Sequence, residues 1–96
     1  MEDSRIAVVV PAYKEQALLR KTVAGIPSFV DHIIVVDDGS PDRTHEVARQ
    51  VASSDERIRV IRLGYNRGVG AAIVRGYREA LALDSDIAGV MAGDNQ

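Results

Sequence analysis

Two β-branched runs, "IAVVVP" at Ile6 to Pro11 and "HIIVVDD" at His32 to Asp38, limit what this chain can become. Neither alternates between apolar and polar positions. A strand with one face in water needs a polar residue at every second position, so these two are expected to be buried on both faces. Strands of that kind belong to parallel sheets, and parallel sheets need helices to cover them. Segments of helical periodicity lie between the runs. From Glu15 to Ile26, Leu18, Leu19, Thr22, Val23 and Ile26 recur at helical spacing, and Pro27 stops the pattern. In "GSPDRTHEVARQVAS", Ser40 is placed to cap a helix, with Pro41 at its first position and Asp42 beside the positive end of the dipole. Val47, Ala48 and Val51 then form its inner face.

"RIRVIRL" (Arg57 to Leu63) does alternate, which predicts a strand near the sheet edge. "GVGAAIVRGYREALAL" reads as a helix opened by glycines, with Ile73, Tyr77, Ala80 and Leu81 facing inward, and "IAGVMA" (Ile87 to Ala92) as a fourth strand. The order β-α-β-α-β-α-β implies right-handed crossovers and a three-layer, Rossmann-like open parallel sheet with strand order 3-2-1-4. In such sheets ligands sit beyond the carboxyl ends of the strands, where the winding reverses; here that lies between strands one and four.

Composition excludes several functions. Ninety-six residues make one domain, which buries about 60 to 65% of the unfolded surface. Lys and Arg number 12 against 14 Asp and Glu, with no basic run for a phosphate backbone to follow, so nucleic acid is not an expected partner. The absence of cysteine removes disulfides, thiolate metal sites and thiol catalysis, and suits a cytoplasmic location. Met-Glu-Asp-Ser-Arg is not the start of a secretory signal, and no apolar run approaches the roughly 20 residues that span a bilayer.

The polar residues gather at the expected strand ends: "PAYKE", "DDGS", "GYNRGVG" and "AGDNQ". Each has a bland explanation. "DDGS" can be a turn with a capping serine, and in "PAYKE" Pro11 can end the strand, Tyr13 pack and Glu15 open a helix. Two adjacent acids at a buried strand end are harder to dismiss, because alternation sends their side chains apart and one should face the crevice. "GVGAAI" approaches a dinucleotide fingerprint, but Ile73 replaces its third glycine and it follows strand three rather than strand one. Its glycines still allow the helix amino end to come close to a phosphate or to the neighbouring strand. His32, in a loop before strand two, and His45, on an outer helix face, are expected to be solvated.

Taken in order, "VVVPAYKE", "IIVVDDGSPDRT", "NRGVGAAIVRGY" and "VMAGDNQ" resemble the family 2 nucleotide-sugar glycosyltransferases of the GT-A fold. The likeness is to their dolichyl-phosphate mannose synthase-like and bacterial polyprenyl-phosphate sugar transferase branch, and it covers essentially the whole chain. The resemblance implies a UDP- or GDP-sugar donor and a divalent cofactor, Mg or Mn. It would place Pro11, Tyr13 and Glu15 along the nucleotide pocket, Val36 and Asp38 against base and ribose, and the Asn66 to Gly70 loop beside them. Ala92, Gly93 and Asp94 would line the sugar-phosphate side, with Asp94 and Gln96 as metal ligands. Ala92 stands where the family's D-x-D motif has its first acid, which implies a site with one carboxylate fewer.

No residue here matches the family's catalytic base. The resemblance therefore implies that residues 1–96 are a truncated nucleotide-sugar-binding domain, with the base beyond Gln96 and no transfer by the chain alone. The full-length protein would work at the cytoplasmic face of a membrane, and the open edge beside strand four suggests self-association. Two other readings remain: a stand-alone nucleotide-binding domain, and a sugar-phosphate nucleotidyltransferase. The latter would carry a Gly-rich, Arg-containing loop where this chain has "PAYKE".

Overall fold

The computed structural model describes residues 5–64 and 67–91. Strands β1 (Arg5–Ala12), β2 (His32–Asp37), β3 (Ile58–Arg62) and β4 (Ser85–Val90) alternate with helices α1 (Leu19–Ala24), α2 (Thr44–Ser54) and α3 (Val69–Ala82). All strand pairs are parallel, and the order across the sheet is β3-β2-β1-β4. β1 and β2 are interior, which is why their sequences carry no polar face.

Their alternate residues feed two separate cores. Val8, Val10, Ile33 and Val35 face the layer of α1 and α2 with Leu19, Val23, Ala48 and Val51, whereas Ala7, Val9, Ile34 and Val36 face α3 with Ala72 and Ala80. β3 forms one edge, and its period-two pattern follows from that position. β4 forms the other. Its pairing with β1 slips by one residue between Ala7 and Val8, and the Met91 amide still reaches the Val9 carbonyl at 2.9 Å.

Three local expectations are corrected. α1 starts at Leu19 rather than Glu15, because a turn in which the Leu18 and Leu19 amides both bond the Glu15 carbonyl precedes it. Ser40 does not cap α2. That helix begins at Thr44, and Asp42 Oδ1 accepts from the Thr44 amide at 3.0 Å.

The inner face of α3 is Ala72, Gly76 and Ala80; Ile73 is half-buried, Tyr77 is 43% exposed and Leu81 72% exposed. Close approach to the sheet explains the rotation. A Cβ placed on Gly76 would lie 2.5 Å from Val9 Cγ1 and 3.0 Å from Cγ2, so the helix axis is nearer the strand than large side chains permit.

Gly76→Ala is therefore expected to destabilise the fold. The added methyl would cost about 2–3 kcal/mol against the stiff side chain of Val9, and the ~1 kcal/mol gained in helix propensity offsets only part of that. Urea unfolding monitored by circular dichroism would show a lower midpoint; a raised midpoint would mean the α3–β1 contact is looser than described.

Candidate nucleotide-sugar site

The pleat of β2 continues past the two cores into its carboxyl end. Ile33 and Val35 face α1 and α2, and Asp37 follows them; Ile34 and Val36 face α3, and Asp38 follows those. The two acids do point apart, but neither opens to solvent: Asp37 is fully buried and Asp38 is 4% exposed. Each is used to organise a loop.

Asp38 serves the loop before α3. Its Oδ1 accepts from the Arg67 amide at 2.9 Å and its Oδ2 from the Gly68 amide at 3.0 Å. Gly68, at φ 96°, sits where a side chain would strain the backbone. The carboxylate thus occupies the amino end of α3, the place where the glycines suggested a phosphate.

Asp37 serves the turn after β2. Its Oδ1 accepts from the Ser40 amide at 3.0 Å, closing a turn through Gly39 at φ 72°. Ser40 Oγ then accepts from the Lys14 amide at 3.1 Å, and Thr44 Oγ1 from the Glu15 amide at 2.8 Å. Thr44 Oγ1 donates in turn to Asp42 Oδ1 at 2.6 Å, and Gln16 Oε1 accepts from the Arg43 amide at 3.0 Å. The loops after β1 and β2 are therefore fastened to each other by three bonds, through Ser40, Thr44 and Gln16, with Asp42 bracing Thr44. They hold Lys14 at φ 55°, a left-handed conformation unusual for a side-chain-bearing residue.

The expected nucleotide residues take up unequal positions. Pro11 is buried within β1, in register with Val36, rather than ending the strand. Val36 has no exposed surface, so it meets no ligand in this conformation. Tyr13 and Glu15 are half-buried on the loop beyond β1, with the Lys14 ammonium 5.5 Å from the centre of the Tyr13 ring. Asn66, Ala92, Gly93, Asp94 and Gln96 lie outside the described residues, and among those described no three His, Asp or Glu side chains gather to hold a metal ion.

The histidines are also corrected. His32 opens β2 and is half-buried, and His45 turns inward from α2, with Nδ1 3.6 Å from Asp37 Oδ2. Sequence reasoning also passed over Thr44, which is fully buried. Its signal was the small hydroxyl three residues after Pro41, read only as part of a helix.

The tied loops stand at the carboxyl ends of β1, β2 and β3, beside the reversal between β1 and β4, where open α/β sheets bind their ligands. The model of the family "Glycosyl transferase family 2" matches residues 7–95. The chain belongs to glycosyl transferase family 2. It is 35% identical over 96 residues to a dolichol-phosphate mannosyltransferase of Pyrococcus furiosus, covering 96% of this chain and 26% of the relative. It is 29% identical to a UDP-N-acetylglucosamine–dolichyl-phosphate N-acetylglucosaminyltransferase of Methanococcus voltae, covering 100% of this chain and 43% of that one.

Among solved structures, the mannosyltransferase PcManGT of Pyrobaculum calidifontis, in complex with GDP-Man and Mn2+, matches with a TM-score of 0.72 at 25% identity. The match covers 79% of this chain and 24% of that one. The chain thus spans less than half the length of these family members. Among the described residues, no helix is long and apolar enough to cross a membrane.

Thr44→Val keeps the shape of the side chain but removes the acceptor of the Glu15 amide and the donor to Asp42. The expected loss is about 1–3 kcal/mol of stability, together with faster hydrogen exchange at the Glu15 amide. Unchanged Glu15 protection would show that the loop after β1 is held by other means.

Proposed function

We propose that this chain is the donor-binding portion of an inverting glycosyltransferase that takes a UDP- or GDP-sugar and passes the sugar to a polyprenyl phosphate. The observation that carries the reading is the fastening of the β1 and β2 loops through Ser40 and Thr44, which holds the loop after β1, next to the switch point, before any ligand arrives. The named activities of the family members support the reaction class, and the GDP-Man and Mn2+ in PcManGT support the donor.

In this reading Tyr13 gives the base an apolar wall, and Glu15 lies on the same loop to accept a hydroxyl or N–H. Pro11, Val36 and Asp38 fix the strand ends behind them. Ala92, Gly93 and Asp94, which follow Met91 in sequence, would line the sugar-phosphate side. An acceptor oxygen attacks the anomeric carbon from the face opposite the diphosphate; the new C–O bond forms as the old one breaks, and the nucleoside diphosphate leaves with the electron pair. The carboxylate that takes up the acceptor's proton is assigned to a part of the full-length protein beyond residue 96.

Asp94 and Gln96 would hold the divalent ion. One carboxylate and one amide oxygen are a hard, oxygen-only donor set, suited to an ion that keeps several waters and takes phosphate oxygens. When bound, the ion supplies charge neutralisation for the leaving diphosphate.

Titration calorimetry of the chain with UDP and GDP, each with and without manganese, tests the reading. One nucleotide should bind with a Kd on the order of 10 μM to 1 mM, tightened by manganese in the wild type but not in Asp94→Asn. Absence of binding by both nucleotides up to millimolar concentration would overturn it.

A further inference from the structure

Resting on the reading that these loops hold the donor, we infer that His45 and Arg62 are positioning residues. Through the buried carboxylate of Asp37 they set the loops that meet the nucleotide. Asp37 has no exposed surface, and only one of its oxygens makes a hydrogen bond, to the Ser40 amide. The other, Oδ2, has no hydrogen-bond partner among the described residues; His45 Nδ1 lies 3.6 Å away and Arg62 Nε 3.5 Å away.

A carboxylate taken out of water needs compensation: the Arg62 guanidinium of β3 brings charge beside it, and His45 of α2 brings a ring nitrogen. Asp37 is also the first link of a chain that ends in the site. It holds the Ser40 amide, Ser40 Oγ holds the Lys14 amide, and Lys14 lies between Tyr13 and Glu15. A change in the charge around Asp37 is therefore transmitted to residues that face the donor, without any contact between His45 or Arg62 and the ligand.

The location supports the separation. His45 and Arg62 line a surface groove of about 530 Å³ between α2 and β3, shared with Arg49 and Gln50. Asp37 lies on the α1–α2 side of the sheet, opposite Asp38 and the α3 loop. Arg62 is half-exposed and His45 about a quarter exposed, so both are open to substitution without a large cavity.

The test compares the wild-type chain with H45Q/R62Q, D37N, and the triple variant that combines them. Hydrogen exchange at the Ser40 and Lys14 amides is read against Val9, deep in β1, together with nucleotide affinity at a temperature where every variant is folded. H45Q/R62Q should speed exchange at Ser40 and Lys14 by roughly tenfold relative to Val9 and weaken nucleotide binding by a similar factor, with R62K close to wild type. D37N removes the charge to be compensated while keeping an acceptor for Ser40, so adding H45Q/R62Q to it should change little further.

Equal acceleration at Val9 would mean that the pair contributes only global stability. Fully additive effects in the triple variant would mean that the pair does not act through Asp37. Either outcome overturns the inference. Should the wild type bind neither UDP nor GDP, the donor reading fails by itself, and the exchange data still decide whether His45 and Arg62 position the loops.

Discussion

The strand ends depend on the burial of Asp37 and Asp38. A carboxylate without solvent is stable only where the protein supplies donors or countercharge; here the hydrogen-bond donors come from the loops, and Arg62 of β3 lies beside Asp37. Asp38 takes the Arg67 and Gly68 amides, and Asp37 takes the Ser40 amide. Because successive residues of a strand point to opposite faces, one dipeptide governs both sides of the sheet. The loop before α3 is held from one face and the turn before α2 from the other. One of the two, Asp38, was legible as a candidate ligand; the structure uses both as anchors.

The sheet was readable because both causes of its pattern are local. Unbroken apolar runs in β1 and β2 follow from burial on two faces, and the alternation of β3 follows from its place at the edge. The contact face of α3 was not readable in the same way. A large apolar residue is the usual mark of a core, yet against Val9 the helix presents Gly76 between Ala72 and Ala80. Nothing within the helix sequence reveals how near its axis will lie to the sheet.

The functional loops were legible as a location and less so as a mechanism of support. Polar residues at successive strand ends marked the crevice, but the bonds that build it span 26 to 30 residues of sequence, as between Lys14 and Ser40, Glu15 and Thr44, or Asp38 and Gly68. Such partners become visible only once β1 and β2 lie side by side. Ser40 looked like a helix cap, but it is Asp42 that accepts from the first amide of α2. The inward turn of His45 was hidden for the same reason, since its partner Asp37 belongs to another element.

The placement of Asp38 also constrains how this crevice can handle charge. In many α/β nucleotide sites the first turn of a helix meets the phosphates with free amides and a positive dipole end. Just ahead of α3 lies a carboxylate, which takes the amides of Arg67 and Gly68 and adds negative charge near the amino end of the helix. A diphosphate in the same crevice would be repelled from α3 unless positive charge were supplied elsewhere. On the β4 side the Met91 amide bonds the Val9 carbonyl, and Asp94 and Gln96 follow Met91 in sequence. In the proposed donor site a cation would supply that charge, so the carboxylate that orders the loop before α3 adds to the need for one.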